Sequence, residues 1–131
     1  MSVTAGSPLT TFSVDMSFDD EKMPQALELL LGGVEPIRVK PGCASCRVQR
    51  DVADRRLVHY TEEWTSAGAF RRHVRSREFW RVLVAMDLAA EEPAVTLGDM
   101  AVRRGIGLLS ELRSEPGPGG DGTEPRRGKE E

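Results

Sequence analysis

No apolar run in this 131-residue chain approaches the roughly 18 residues that cross a bilayer, so no transmembrane helix is expected. The opening residues Met1-Ser2-Val3-Thr4-Ala5-Gly6 have neither a basic start nor an apolar stretch, so no secretory signal is expected either. An excess of basic charge is also missing. Lys and Arg total 18 against 21 Asp and Glu, a net charge of −3. Residues 114–131 carry −2 of that, with three basic groups against five acidic ones. A balance of this kind leaves no electrostatic footprint for nucleic acid. Cysteine is scarce: Cys43 and Cys46 are the two present. Without an export signal they read as free thiols of a cytoplasmic protein in a reducing setting. Aromatic residues are few as well, with two Trp, one Tyr and four Phe.

What remains is enough for one domain. Residues 1–8 are small and polar and read as a flexible start; residues 114–131, with five Gly, three Pro and eight charged residues, read as a disordered tail. Between them, 9–113 carries the periodic pattern. Phe12, Val14, Met16 and Phe18 share one parity and predict a half-buried strand. Asp19-Asp20-Glu21 offers a helix cap and acidic first turn, followed by Met23, Ala26, Leu27, Leu30 and Leu31 at helical spacing, with Gly32-Gly33 as the stop. Val34 to Pro41 reads as a connection with a short strand at Ile37–Val39. A second strand is expected from Cys43 to Asp51, a hairpin turn at Ala53-Asp54, and a third strand from Arg56 to Trp64. Thr65 or Ser66 caps a helix carrying Phe70 and Val74. Ser76 marks a break, and a further helical segment presents Phe79, Val82, Leu83, Met86 and Ala90 until Pro93 stops it. The last strand is expected over Ala94–Arg103 with a bulge at Gly98; Ile106–Leu112 fits a strand extension or a helical turn.

The order β-α-β-β-α-β predicts an α+β, ferredoxin-like domain: an antiparallel sheet with both helices on one face. The other face, on which Leu57, Val95 and Leu97 are expected among polar residues, has no cover within the chain. It invites a second copy, giving a homodimer through the uncovered sheet face with a cavity in each half.

Pro41-Gly42-Cys43, Glu62-Glu63-Trp64, Ala69-Phe70 with His73 and Ser76, and then Phe79 together resemble the antibiotic biosynthesis monooxygenase family. The resemblance spans about residues 9–104, its specific part 41–79. It implies a dimeric α/β barrel and an oxidoreductase that oxidises a phenolic or quinol aromatic with O2, without metal, flavin or other cofactor. It makes His73 the catalytic base and Trp64, Tyr60 and Phe70 the substrate-binding residues: Trp64 as a stacking wall, Tyr60 as a hydroxyl contact. Imidazole suits proton abstraction near neutral pH, and a phenolate passes an electron to O2 where a phenol does not. Each of these residues also has a plain structural use, as core filler or as a link between helix and sheet.

Two departures keep other readings open. Glu78 precedes Phe79 where many quinol-oxidising members have a second histidine. The chain also has no asparagine, which haem-degrading members use on the first strand; Ser13 and Asp15 stand there instead. A non-catalytic ligand-binding or interaction dimer is therefore the alternative, with haem binding through His73 more distant. His59 falls on the face opposite Tyr60, toward a partner or solvent. The run Arg71, Arg72, Arg75, Arg77, Arg81 reads as a solvated helix face. Cys43 and Cys46, three apart on a strand, should point to opposite faces and supply just two of the four ligands of a structural zinc.

Overall fold

The period-two pattern beginning at Leu9 forms strand β1 (Thr10–Ser17), with Phe12, Val14 and Met16 fully buried and the residues between them partly or wholly exposed. The computed structural model describes residues 9–98, 100–102 and 106–114; the flexible start at 1–8 and the tail beyond Ser114 lie outside the described residues. After β1 come α1 (Met23–Arg38), β2 (Cys43–Arg50), β3 (Leu57–Trp64), α2 (Ala67–Val74), α3 (Phe79–Leu88), β4 (Ala94–Leu97), β5 (Met100–Val102) and α4 (Ile106–Ser114). The strands form one antiparallel sheet in the order β2-β3-β1-β4-β5. The first four are the ferredoxin-like arrangement, and β5 extends it at one edge. Buried residues of α1, α2 and α3 join Phe12, Val14, Met16, Val58, Tyr60 and Trp64 in one core on a single face of the sheet.

Several local expectations change. Gly32-Gly33 does not end α1, which continues through Pro36 to Arg38. The two glycines serve packing instead: a Cβ at Gly32 would lie 2.8 Å from Arg81 Nη1, and one at Gly33 3.3 Å from Arg81 Cδ. The Arg81 guanidinium crosses α1 there and donates to the Leu29 carbonyl at 3.3 Å. Continuing the helix buries Ile37, so Ile37–Val39 is not a strand. At the other end, Asp19 and Asp20 pair with Arg56 and Arg55 rather than capping the helix. The expected strand at Ala94–Arg103 is instead the hairpin β4-β5, where Gly98 takes φ +64° rather than forming a bulge. Ile106–Leu112 belongs to α4, whose Leu109 is fully buried, and its Arg113 donates to the Val74 carbonyl on α2.

Register corrects the uncovered face. Val95 and Leu97 pair with Val14 and Phe12, so both belong to the helix-covered side. The open side carries Thr11, Ser13, Asp15, His59, Thr61 and Glu63, with Leu57 as its apolar contribution from β3. It is far more polar than the sequence suggested.

Gly42, at φ +89° just before β2, lets the chain pass close to α2: a Cβ there would meet Ala69 Cβ at 2.7 Å. Backbone strain and collision act together, so Gly42→Ala should lower unfolding free energy by about 2 kcal/mol or more. Gly98→Ala, with the left-handed backbone but open space around it, should cost about 1 kcal/mol. Urea denaturation of the two variants measures both; equal losses would contradict the close-approach argument.

Candidate active site

The alternation of β3 turns Val58, Tyr60, Glu62 and Trp64 toward the helices. Three of these are ordinary core residues. Glu62 is a carboxylate with no solvent exposure, on the apolar side of a strand. Such a group persists only when its lone pairs are satisfied. Tyr60 donates its hydroxyl to Oε2 at 2.5 Å, Trp64 Nε1 donates to Oε1 at 3.0 Å, and His73 Nε2 lies 2.9 Å from Oε2.

His73 reaches that position from α2, a short helix whose Ser66 cap accepts the Ala69 amide at 3.1 Å, as the sequence suggested. Its ring lies on the Trp64 indole, with centroids 4.8 Å apart and planes 30° from parallel, and meets the edge of Phe79 at 5.2 Å. On the far side of the imidazole, Nδ1 faces Lys40 Nζ at 3.1 Å and Ser76 Oγ at 3.4 Å. An ammonium can only donate, so Nδ1 accepts and Nε2 carries the proton that it donates to Glu62. Lys40 continues the chain of contacts to Ser76 Oγ at 2.7 Å and Glu78 Oε1 at 2.8 Å. That contact holds the Glu78 carboxyl down to about 2, the Lys40 hydrogen bond being the largest cause.

The other ionisable groups beside Glu62 stay protonated. Burial, then the nearby Glu62 charge, pushes the Tyr60 phenol well above its usual value. Burial raises the Cys46 thiol to about 11, and Cys46 Sγ lies 3.4 Å from the Tyr60 hydroxyl. Cys43 is also raised, mainly by desolvation. Opposite faces were expected for these cysteines. A register shift between Cys43 and Ser45 instead sets them against Trp64 and Glu62, both on the helix side, and both remain free thiols. Among the described residues no group of three or more His, Cys, Asp or Glu could hold a metal ion, and no helix is long and apolar enough to cross a membrane.

A pocket of about 220 Å³ opens beside this network, lined by Lys40, Pro41, Trp64, Ala69, Arg72 and His73. His73 and Trp64 thus border one volume. Drug-sized ligands fill roughly 300–1,000 Å³, so this space suits a single ring or the leading edge of a larger one. Tyr60 does not line it; its hydroxyl is turned to Glu62. Phe70 lies in the core against Phe12, centroids 5.4 Å apart. Sequence reasoning missed Glu62, Lys40, Ser76 and Glu78 as members of the site. For Glu62 the signal was present, as an acid on the buried parity of β3.

The profile of the antibiotic biosynthesis monooxygenases matches residues 13–83. The chain belongs to that family. Solved structures share its fold. An antibiotic biosynthesis monooxygenase aligns with a TM-score of 0.62 and 22% identity, over 70% of this chain and 97% of its own. A conserved protein of Methanosarcina mazei gives 0.64 at 17% identity, covering 70% and 91%. A protein of Pseudomonas aeruginosa gives 0.62 at 19%, covering 72% and 95%. No curated protein sequence matches. Within this antibiotic biosynthesis monooxygenase domain, both nitrogens of His73 have protein partners, Glu62 at Nε2 and Lys40 with Ser76 at Nδ1.

His59 lies on the opposite sheet face, with Nδ1 2.6 Å from Asp15 Oδ1 and Nε2 3.0 Å from Asp51 Oδ1. The hydrogen bond to Asp15, then that to Asp51, raises the imidazole above 6.5, and the His59 hydrogen bond lowers Asp51 below 3.8. A raised base stabilises fully below 6.5 and loses that contribution as pH climbs through its folded value. A lowered acid stabilises fully above 3.8 and loses it as pH falls. The melting-temperature gap between wild type and His59→Gln should therefore be widest between these two values and narrow toward pH 8. A gap that is flat across that range would refute the bridge.

Proposed function

We propose that this chain is a cofactor-independent monooxygenase acting on a small phenolic or quinol ring, with His73 as base. The observation carrying this reading is that His73 and Trp64 border one pocket while a buried carboxylate fixes the imidazole from behind. The His73 side chain is fully buried and stacked on the indole, so a ring in the pocket reaches Nδ1 by displacing the Lys40 ammonium from it. Nδ1 takes the phenolic proton, Nε2–H stays on Glu62, and the Lys40 ammonium balances the phenolate. The phenolate is the reductant. O2 gives one oxygen atom to a ring carbon, converting C–H to C=O, and the other leaves as water, so phenol plus O2 yields quinone plus water. Glu62 is a positioning residue: it selects the tautomer that leaves Nδ1 as acceptor. Trp64 borders the pocket while one face of its indole is taken by His73. Phe70, behind the site, shapes the core on which α2 rests, and Tyr60 acts through Glu62 rather than on the substrate.

A second reading has its own observation. With both ring nitrogens occupied, His73 also suits a purely structural link in a non-catalytic ligand-binding dimer. Oxygen consumption with quinols from hydroquinone to 1,4-dihydroxynaphthalene, measured above autoxidation, separates the two. The monooxygenase consumes O2 with at least one of them. His73→Ala lowers the rate by about 10²–10⁴-fold, and Glu62→Gln lowers it while quinol binding persists. Quinol binding with no O2 uptake by the folded wild type would instead establish the binding module.

The homodimer through the uncovered sheet face is part of the same proposal, supported by a face that no element of the described chain covers. Sedimentation at micromolar concentration should give about twice the 14.4 kDa chain mass; a monomer would refute it.

A further inference from the structure

The pocket carries a cation, Arg72, that the reaction above does not use. Of its six lining residues, Lys40 and Arg72 are cations and none is an acid. The Lys40 charge is met by Glu78 at 2.8 Å. Glu62, the carboxylate behind the pocket wall, is committed to Tyr60, Trp64 and His73. Arg72 has no ion-pair or hydrogen-bond partner among the described residues. Its guanidinium folds back along α2, so that a Cβ at Gly68, one turn earlier, would lie 3.8 Å from Nη1.

We propose that Arg72 is a specificity residue for an acidic group on the substrate, so that the preferred ligand is an aromatic acid: a hydroxylated ring bearing a carboxylate. This rests on the reading of the pocket as an aromatic site. The planar fork of a guanidinium holds a carboxylate through two parallel hydrogen bonds and thereby fixes the ring's orientation as well as its affinity. With the carboxylate on Arg72 and the ring on Trp64, the phenolic hydroxyl is left for the His73 and Lys40 side of the same space. A 220 Å³ pocket has room for one such ring. Neighbouring arginines are placed differently: Arg71, Arg75, Arg77 and Arg81 are not among the lining residues.

The test is anaerobic equilibrium binding to the full-length protein, by calorimetry, of 2,5-dihydroxybenzoate and of its uncharged counterpart hydroquinone. Wild type should bind the acid at least about tenfold more tightly. Arg72→Gln should abolish that preference while leaving hydroquinone affinity unchanged, and Arg72→Lys should restore part of it. Added salt should weaken the preference, because the charge lies at the pocket mouth. Equal affinity of wild type for the two compounds, or a preference that survives in Arg72→Gln, overturns the role of Arg72 and leaves the aromatic site standing. Binding of neither compound overturns both.

Discussion

One buried carboxylate organises this molecule. Removing a charge from water is costly, and the cost falls only if every lone pair finds a donor. Glu62 finds three, from two residues of its own strand and one of α2. The network works as a unit, since a missing donor leaves an ionised oxygen stranded in the core. Docking of α2 onto the sheet, the tautomer of His73 and the orientation of the Trp64 indole are therefore settled together. A hydrophobic residue at position 62 would fill the space but would specify none of the three.

Around that centre the pocket is assembled from three separate pieces: the loop bearing Lys40 and Pro41, the end of β3, and one side of α2. They meet because Gly42 turns with a backbone that few other residues adopt and passes close to Ala69. Glu78 holds Lys40 against His73 and Ser76. That ion pair fixes a cation beside the imidazole.

Much of the fold was legible, because period-two alternation in residues 10–17 and 57–64 has one physical meaning, a sheet with one buried side. The Ser66 cap was legible for the same kind of reason: its hydrogen bond is local. What could not be read depended on distant neighbours. Gly32-Gly33 has the composition of a helix end, and Arg81 from another helix makes it a close-packing site. Val95 and Leu97 were assigned to the wrong face because register with β1 decides the side, and spacing alone does not reveal register. The irregularity near Ala44 likewise set Cys43 and Cys46 on the same side, against simple counting. At the site, Trp64 and His73 stood out in sequence. Lys40, 33 residues from His73, had no local mark.

The hairpin at Gly98 has an effect on how molecules meet. Because β5 hydrogen-bonds along the outer side of β4, that end of the sheet does not present β4's free amides and carbonyls to another chain. The opposite end is β2, which carries Arg47 and Arg50, charges of the kind that discourage unwanted edge pairing. The described sheet therefore ends in a three-residue strand on one side and an arginine-bearing strand on the other, both poor templates for lateral pairing.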